Sequence, residues 1–351
     1  MAKRFDIRRF REKVKRSSIL ITKPSNIFYI TGVMADSTFI LIEGNDIKII
    51  TNFIYFDHIK ENLKENCPDG KLIMFSGADL YDHFSKRRKY YFEAGHMTYS
   101  MFEKFKDRSI SLLPGGEMIE KVRSCKSEDE IDKIRKAVKI TDKTFRDVIK
   151  FIKPGKTEKE VSDFIESCQK KYGASKNSFD TIAAFGENAS LPHAVVSDTV
   201  IKKGKMLKMD YGARYQDYCS DMTRTVFVGK ADKRFKEIYG IVLSAQLKAI
   251  DAIKPGVKAA DIDKVARDYI SKKGFGDRFG HSLGHGLGID VHENPAVSSR
   301  SDKKLEEGNV ITVEPGIYIP GWGGIRIEDD VVVRKDGPEI LTASTKKIIE
   351  I

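Results

Sequence analysis

The chain has 351 residues, of which 40% are hydrophobic and 32% are charged, and its formal net charge is +11. This length predicts about two domains with sizeable cores, and the composition excludes a disordered chain. No apolar run approaches the length of a membrane-spanning helix, so we expect no membrane segment.

The N-terminal segment MAKRFDIRRFREKVKRSS carries charges throughout and lacks the apolar centre of a signal peptide. The four cysteines are scattered and form no Cys-x-x-Cys pair, which indicates reduced thiols. They are Cys67, Cys125, Cys168 and Cys219. Together these features predict a cytoplasmic protein.

The net positive charge raises the question of a nucleic-acid partner. Most lysines and arginines alternate with acidic residues, as in KSEDEIDKIRKAVKITDK, and such alternation is typical of solvated helix faces. Concentrated basic patches occur only at the N-terminus and at Lys86-Arg87-Arg88-Lys89. This distribution argues against nucleic acid as the main partner.

The first half of the chain alternates short apolar runs with polar segments. SSILITK, STFILIE, DIKIITNFIYF and RKYYFEAG are rich in β-branched and aromatic residues and are predicted strands, and Asp57–Asn66 is a predicted short helix. This alternation predicts an α/β domain that ends near residue 120.

A long amphipathic helix follows, beginning with the capping box of Ser127 and Glu130 and ending at Lys153-Pro154-Gly155. The phrase Ile-Lys-Pro-Gly, then an amphipathic helix, then Lys-Lys-x-Gly occurs twice, around Pro154 and Pro255. Each copy precedes a strand-rich segment with two carboxylates. We therefore predict an internal duplication with helices outside and strands inside.

Asp210 and Asp221 form the first pair of carboxylates, in KMDYGARYQDYCSDMTRT. We predict a hairpin with a turn over residues 213–217, which would bring both carboxylates to one face. Cys219 lies between them and is either a soft metal ligand or, as its strand position favours, a small buried side chain.

Glu314 and Glu328 form the second pair. Glu314 ends the apolar run NVITVE, and Arg326 lies two residues before Glu328 in GGIRIEDDVVV, so both should project from one strand face. Arg326 would keep a ligating carboxylate ionised, or would form an ordinary cross-strand ion pair. Trp322 is predicted either as a pocket wall or as a hairpin packing residue.

Three histidines, His281, His285 and His292, occur in GHSLGHGLGIDVHENP, where three glycines disfavour a metal-binding helix. Spacing alone does not select the ligand among them. Four carboxylates and an imidazole that converge need bound cations, and this donor set suits two divalent ions.

These segments resemble the pita-bread fold metallopeptidase family that includes aminopeptidase P, prolidase and methionine aminopeptidase. The resemblance covers residues 120–350 and rests on the ordered motifs described above. Upstream, LITKPSNIFYITG resembles the N-terminal domain shared by aminopeptidase P, prolidase and creatinase. The resemblance implies an α/β (α+β) protein with a creatinase-like domain over residues 1–120 and a pita-bread catalytic domain with a pseudo-twofold repeat over residues 121–351.

The resemblance also implies two divalent metal ions, for which Mn, Co, Zn and Fe are all suitable. Asp210 would bind one ion, and His285 and Glu314 would bind the other. Asp221 and Glu328 would bind both. Creatinase shares this fold but lacks the full set of ligands, so their presence here favours metal-dependent hydrolysis.

The same resemblance assigns roles on the substrate side. Glu314 would move a proton from the attacking water to the leaving nitrogen. His193, in LPHAVVSD, would contact the substrate, and His292 would stabilise the oxyanion. His281 and Arg326 would line the pocket for proline.

We therefore expect a dinuclear peptidase that removes the N-terminal residue before proline, as aminopeptidase P does. A prolidase limited to Xaa-Pro dipeptides is the alternative. A catalytically silent binding module on the same fold is a different class, and the five intact ligands argue against it. A homodimer is expected from the resemblance.

Overall fold

The computed structural model describes residues 5–15 and 18–351. Residues 1–4 and 16–17, which belong to the basic N-terminal segment, lie outside the described residues. The chain divides into two units, Met1–Arg123 and Ser124–Ile351. Across the described ranges, no helix is both long and apolar enough to cross a membrane.

The N-terminal unit is built on a six-stranded mixed sheet with the strand order β4-β3-β2-β1-β5-β6. The strands are β1 Ser18–Ile21, β2 Thr38–Glu43, β3 Asp46–Thr51, β4 Gly70–Met74, β5 Lys89–Phe92 and β6 Ser111–Pro114. The helices are α1 Ile7–Lys13, α2 Pro24–Thr31, α3 Phe53–Asn66, α4 Tyr99–Lys106 and α5 Glu120–Arg123, with a 3₁₀ helix at Gly77–His83. The strands predicted at SSILITK, STFILIE and RKYYFEAG are confirmed as β1, β2 and β5.

The strand predicted over DIKIITNFIYF is wrong beyond Thr51, where β3 ends. The side chain of Asn52 accepts a hydrogen bond of 3.1 Å from the main-chain nitrogen of Ile54 and so caps α3. The helix therefore begins at Phe53, four residues before its predicted start at Asp57. The aromatic residues that suggested a strand are part of the first helical turn.

The C-terminal unit contains four long helices, α6 Glu128–Phe151, α7 Glu158–Lys171, α8 Lys233–Asp251 and α9 Ala259–Lys272. Two 3₁₀ helices lie at Gly186–Ser190 and Gly276–Arg278. The strands of its first half are β7 Lys176–Asn177, β8 Ile182–Phe185, β9 Lys205–Tyr211, β10 Ala213–Tyr215, β11 Tyr218–Cys219 and β12 Met222–Val228. Those of its second half are β13 Gly284–Gly286, β14 Glu293–Val297, β15 Val310–Val313, β16 Gly316–Ile319, β17 Gly323–Arg326, β18 Asp329–Arg334 and β19 Gly337–Ile340.

The same arrangement of a helix pair followed by antiparallel strands occurs in both halves of this unit. In the first half, α6 and α7 precede a sheet of order β12-β9-β8, and β9 pairs with β12. In the second half, α8 and α9 precede a sheet of order β14-β13-β15-β18-β19, and β15 pairs with β18. The predicted capping box of Ser127 with Glu130 forms, and a second one, of Thr157 with Glu160, begins α7.

Helices cover the strands through apolar side chains. Phe145 and Val148 of α6 and Val161 of α7 are buried in one cluster with Leu207 of β9 and Val226 of β12. Each such side chain contributes about 1.5–3 kcal/mol when fully buried. A corresponding cluster joins α8 and α9 to β15, β17 and β18. The strands that carry the paired carboxylates are therefore fixed by close packing against these helices.

Candidate metal centre and active site

The five predicted metal ligands lie in or beside strands of the C-terminal unit and line one cavity of about 1040 Å³. Asp210 lies within β9, and Asp221 directly precedes β12. His285 lies within β13. Glu314 directly follows β15, and Glu328 directly precedes β18. Each half of the unit thus contributes two carboxylates to the same cavity.

Three of these residues form the tightest group. Asp221, His285 and Glu328 each offer one ligand atom, and these atoms all lie within 4.8 Å of one another. Nε2 of His285 lies 3.6 Å from Oδ2 of Asp221 and 3.4 Å from Oε1 of Glu314. Metal–ligand bonds of about 2.0–2.2 Å place ligand atoms roughly 3–4 Å apart. The separations of 3.6 and 3.4 Å around Nε2 of His285 therefore fit one ion bound by His285, Asp221 and Glu314.

Without a bound cation, burial and mutual repulsion disfavour the ionised form of these carboxylates. Burial, reinforced by neighbouring carboxylates, raises the pKa of Asp221 and Glu328 well above the usual range. Burial also raises the pKa of Glu314 to about 8, although Arg326 opposes this. The buried Oδ1 atoms of Asp210 and Asp221 accept no hydrogen bond from the described residues. Divalent cations fit this donor set, because they neutralise the charge and coordinate these oxygens.

His285 is in the form that a metal ligand needs. Burial is the main cause that lowers the pKa of His285 to about 4, so its imidazole is neutral near pH 7. Nδ1 lies 3.1 Å from the main-chain oxygen of Gly286. With the proton on Nδ1 donated to that oxygen, the lone pair of Nε2 faces Asp221 and Glu314.

Glycine is required where the backbone beside the ligands is crowded. A Cβ at Gly284 would lie 2.0 Å from the main-chain oxygen of Thr312, and one at Gly212 would lie 1.8 Å from that of Ser220. Gly284 precedes His285, so the close approach of β13 to β15 brings the imidazole next to Glu314. The prediction that Gly284, Gly286 and Gly288 disfavour a metal-binding helix is confirmed, because Gly284–Gly286 form a strand.

The hairpin predicted around Asp210 and Asp221 needs correction. Residues 213–217 do not simply turn, because β10 and β11 form a second small hairpin there, with Gln216 and Asp217 at positive φ. In the pairing of β9 with β12, Asp210 lies opposite Thr223 rather than Asp221. Asp221 lies two residues earlier on the same face and is a diagonal neighbour.

Arg326 and Glu328 do not lie on one strand, contrary to the prediction. Arg326 ends β17, Glu328 precedes β18, and the two strands belong to different sheets. The chain is held at this break by β12: Arg326 N donates to Thr225 Oγ1 at 3.2 Å, and Glu328 N donates to Thr223 O at 3.2 Å. Both side chains still face the cavity.

The substrate-side residues line the same cavity. Arg326 uses four of its five N–H donors: Nη2 donates to Asp210, Nη1 donates to the Tyr318 hydroxyl at 2.9 Å and to Pro192 O at 3.1 Å, and Nε donates to Thr223 Oγ1 at 2.9 Å. Nε2 of His281 lies 2.9 Å from the same Tyr318 hydroxyl. Burial lowers the pKa of His281 to about 3, so this imidazole is neutral.

The two remaining histidines flank the ligands. The ring of His292 lies 4.3 Å from the ring of His285, and burial lowers the pKa of His292. His193 lies on an exposed segment after the 3₁₀ helix Gly186–Ser190 and also lines the cavity.

Three residues of the site were not predicted from the sequence. Thr223 donates to Oε2 of Glu328 at 2.6 Å, and its position two residues after Asp221 on one strand face was an available signal. Tyr318 bridges His281 and Arg326. Lys208 is fully buried beneath the segment that carries His193. Tyr318 and Lys208 gave no signal, because their partners are remote in sequence.

Two alternatives left open by the sequence are decided. Cys219 is fully buried and its Sγ lies 3.6 Å from the main-chain oxygen of Ile289, so it is a packing residue. Trp322 packs against the core of the second half, and the guanidinium of Arg234 lies 4.8 Å from its ring centre. It is a hairpin packing residue and not a wall of the cavity.

Comparison with protein families gives two matches that together cover most of the chain. The model of metallopeptidase family M24 matches residues 132–335. The model of the creatinase/prolidase N-terminal domain matches residues 7–125. All five metal-ligand candidates lie within the first match.

Individual relatives agree with these matches. The chain is 42% identical over 335 residues to the peptidase YqhT of Bacillus subtilis, covering 94% of this chain and 95% of the relative. The structure of a Xaa-Pro dipeptidase from Bacillus anthracis has a TM-score of 0.93 and 38% identity, covering 98% of this chain and 99% of that one. The structure of an X-Pro aminopeptidase from Thermotoga maritima has a TM-score of 0.86 and 36% identity, covering 98% and 100%.

Proposed function

Since this chain belongs to metallopeptidase family M24, we propose that it is an aminopeptidase that cleaves the N-terminal Xaa-Pro bond of peptides with two divalent metal ions. Membership makes it a metal-dependent hydrolase with a pita-bread catalytic domain. The proposal concerns the substrate, the number of ions and the roles of individual residues. The observation that carries it is the cavity in which four carboxylates and a neutral imidazole meet.

We assign the metal ligands as follows. Asp221 and Glu328 would hold both ions, Asp210 would hold one of them, and His285 and Glu314 would hold the other. The close grouping of Asp221, His285 and Glu328 supports this division. Carboxylate oxygens with one imidazole nitrogen suit Mn, Co, Zn or Fe.

The bound ions supply Lewis acidity, which polarises the scissile carbonyl and lowers the pKa of the attacking water. Glu314 faces the cavity beside His285, where its carboxylate can take the water proton and pass it to the leaving nitrogen. His292, next to His285, donates to the developing oxyanion. His193 contacts the peptide, and His281 with Arg326 borders the proline ring.

The engagement of Arg326 favours longer peptides over dipeptides. A dipeptide ends in a carboxylate directly after proline, and binding this carboxylate in a buried site needs a cation with free donors. Arg326 already donates to Asp210, Tyr318, Thr223 and Pro192. A longer peptide presents a neutral amide there instead. The cavity volume of about 1040 Å³ also leaves room for residues beyond proline.

Prolidase activity is the alternative, and the Xaa-Pro dipeptidase among the similar structures favours it. Turnover of Xaa-Pro, Xaa-Pro-Yaa and Xaa-Ala-Yaa by the purified chain, supplied in turn with Mn, Co, Zn and Fe, separates the two. We expect metal-dependent cleavage of Xaa-Pro-Yaa well above that of the other two peptides. Cleavage confined to the dipeptide would replace the aminopeptidase assignment with prolidase.

The homodimer expected from the resemblance remains a prediction. Light scattering on the purified chain tests it, and a mass equal to one chain would contradict it.

A further inference from the structure

Lys208 occupies an unusual position beneath the segment that carries His193. It lies on β9, two residues before Asp210, and its side chain is fully buried. A buried ammonium loses its hydration, and this is costly unless its donors are satisfied. An apolar residue at this strand position would avoid that cost, so the lysine calls for a functional explanation.

The donors of Lys208 are directed at the main chain just before His193. Nζ donates to the carbonyl oxygen of Leu191 at 2.5 Å and to that of Pro192 at 3.3 Å. Nζ also lies 5.1 Å from the ring centre of Tyr318. Two consecutive carbonyls are therefore turned inward onto one amino group.

Arg326 reaches the same segment from the other side. Its Nη1 donates to the carbonyl oxygen of Pro192 at 3.1 Å, while its Nη2 donates to Asp210. Pro192 O thus accepts hydrogen bonds from both side chains. Lys208 donates to Leu191 O as well, whereas Arg326 reaches this segment at Pro192 O.

Other hydrogen bonds hold this segment on either side of the histidine: Leu191 N donates to Asn188 O at 3.0 Å, and Ser197 N donates to Glu158 Oε2 at 3.0 Å. Leu191, His193 and Val195 are exposed, while Ala194 is buried. His193 nevertheless lines the cavity together with His292. The direction of its imidazole therefore depends on how the two carbonyls before it are held.

We propose that Lys208 is a positioning residue, which fixes the segment Leu191–His193 so that the imidazole of His193 points into the active-site cavity. The kinetic part of this inference rests on the proposed peptidase function. Lys208 does not line the cavity, whereas His193 does, so Lys208 would act through His193. A displacement of about 1 Å in such a group can cost about 100-fold in rate.

A double-mutant cycle of Lys208→Met and His193→Ala tests this role. The methionine is unbranched like lysine and one atom shorter, and it removes the donors. We expect Lys208→Met to lower kcat/KM for Xaa-Pro-Yaa by about tenfold or more, and His193→Ala to have a similar effect. Because both act through one imidazole, adding Lys208→Met to His193→Ala should change kcat/KM by less than about twofold.

Lys205→Met is the matched control. Lys205 lies on the same strand, but it is exposed and pairs with Glu187 at 3.1 Å. This variant makes the same substitution on the same strand and should keep kcat/KM within about twofold of wild type. Metal content should be equal in all variants, since a loss confined to Lys208→Met would show that Lys208 acts on Asp210 instead.

Hydrogen exchange of the metal-free chain gives a readout that does not depend on activity. Exchange of the peptide covering residues 186–198 should speed up in Lys208→Met and not in Lys205→Met. Unchanged exchange, or multiplicative losses in the double mutant, would overturn the proposal. If wild type cleaves none of the peptides, the proposed function fails while the exchange result still decides the positioning role. If Lys208→Met does not fold, Lys208→Gln enters the same cycle under the same criteria.

Discussion

Thr223 orients a metal-ligand candidate through a single hydroxyl. Its Oγ1 donates to Oε2 of Glu328 at 2.6 Å and accepts from Nε of Arg326 at 2.9 Å. Thr223→Val keeps the shape and removes both bonds. Because partners of metal ligands typically contribute 10–100-fold, we expect kcat/KM and metal affinity to fall by about 10–100-fold.

Thr225→Val on the same strand is the control for this prediction. The hydroxyl of Thr225 bonds only to main-chain atoms of Arg326 among its recorded partners. We expect a loss of stability of about 1 kcal/mol in both variants but a large kinetic loss only at Thr223. Equal kinetic losses would mean that Thr223 supports the strand and does not orient Glu328.

Glu328, a proposed metal ligand, should destabilise the metal-free fold when it is ionised. Burial and neighbouring carboxylates raise its pKa well above the usual range, so ionised Glu328 is disfavoured in the metal-free fold. Glu328→Gln should therefore raise the Tm of the metal-free chain near pH 8 and lower activity by at least about 100-fold. Thermal melts in chelator and steady-state kinetics measure the two effects.

Glu339→Gln provides a control of opposite sign. Hydrogen bonds and charge from Arg135 and Arg334 outweigh partial burial and lower the pKa of Glu339, so removal of its charge should reduce Tm. A fall in Tm for Glu328→Gln as well would contradict the charge-repulsion account of the site.

At the scale of elements, the sequence predicts features that depend on neighbouring residues, but not features that depend on contacts with distant parts of the chain. The capping box of Ser127 with Glu130 depends on residues three apart, and it forms as predicted. The break between β17 and β18 depends on hydrogen bonds to Thr223 and Thr225, about a hundred residues earlier in the chain. Alternation along GGIRIEDDVVV carries no information about those partners, so it predicted one continuous strand.

The same distinction applies to the site. The acidic and imidazole residues were identifiable because few buried strands carry such charges. Of the neutral side chains that orient them, Thr223 had a signal in its spacing from Asp221, whereas Tyr318 had none. The Tyr318 hydroxyl joins His281 to Arg326 only through the approach of β16 to the histidine segment. Such contacts are set by packing and leave no mark in local sequence.

The first residue of α7 ties this helix to the segment around His193. Glu158 is fully buried, and its carboxylate accepts from Phe185 N at 2.6 Å, from Asn188 Nδ2 at 3.0 Å and from Ser197 N at 3.0 Å. Glu158→Gln replaces one acceptor with a donor that faces other donors. We expect a loss of about 1–3 kcal/mol in the free energy of unfolding, measured with urea.

The matched variant is Glu166→Gln on the exposed face of the same helix, which should change stability by less than about 0.5 kcal/mol. Equal stability of the two variants would show that the carboxylate of Glu158 is dispensable.

At the scale of the whole catalytic unit, the proposed metal centre would join two similar halves. Asp210 and Asp221 come from the first half, and Glu314 and Glu328 come from the second. Bound ions therefore connect two separately packed sets of strands. Ligands that bind only the folded chain add about 2.7 kcal/mol at a concentration of 100 Kd. Metal removal should thus lower Tm for the whole unit and not only for the site.

This stabilisation should depend on pH. In the metal-free fold, burial raises the pKa of Glu314 from 4.5 to about 8, and the pKa of Asp221 and Glu328 also rises. The folded chain therefore holds protons that the unfolded chain releases, so its stability falls as pH rises from about 4.5 through about 8. Metal binding displaces these protons and removes the loss. The difference in Tm between metal-loaded and chelator-treated protein should widen from about pH 5 to about pH 8. A constant difference would contradict the account in which metal ions replace protons on the buried carboxylates.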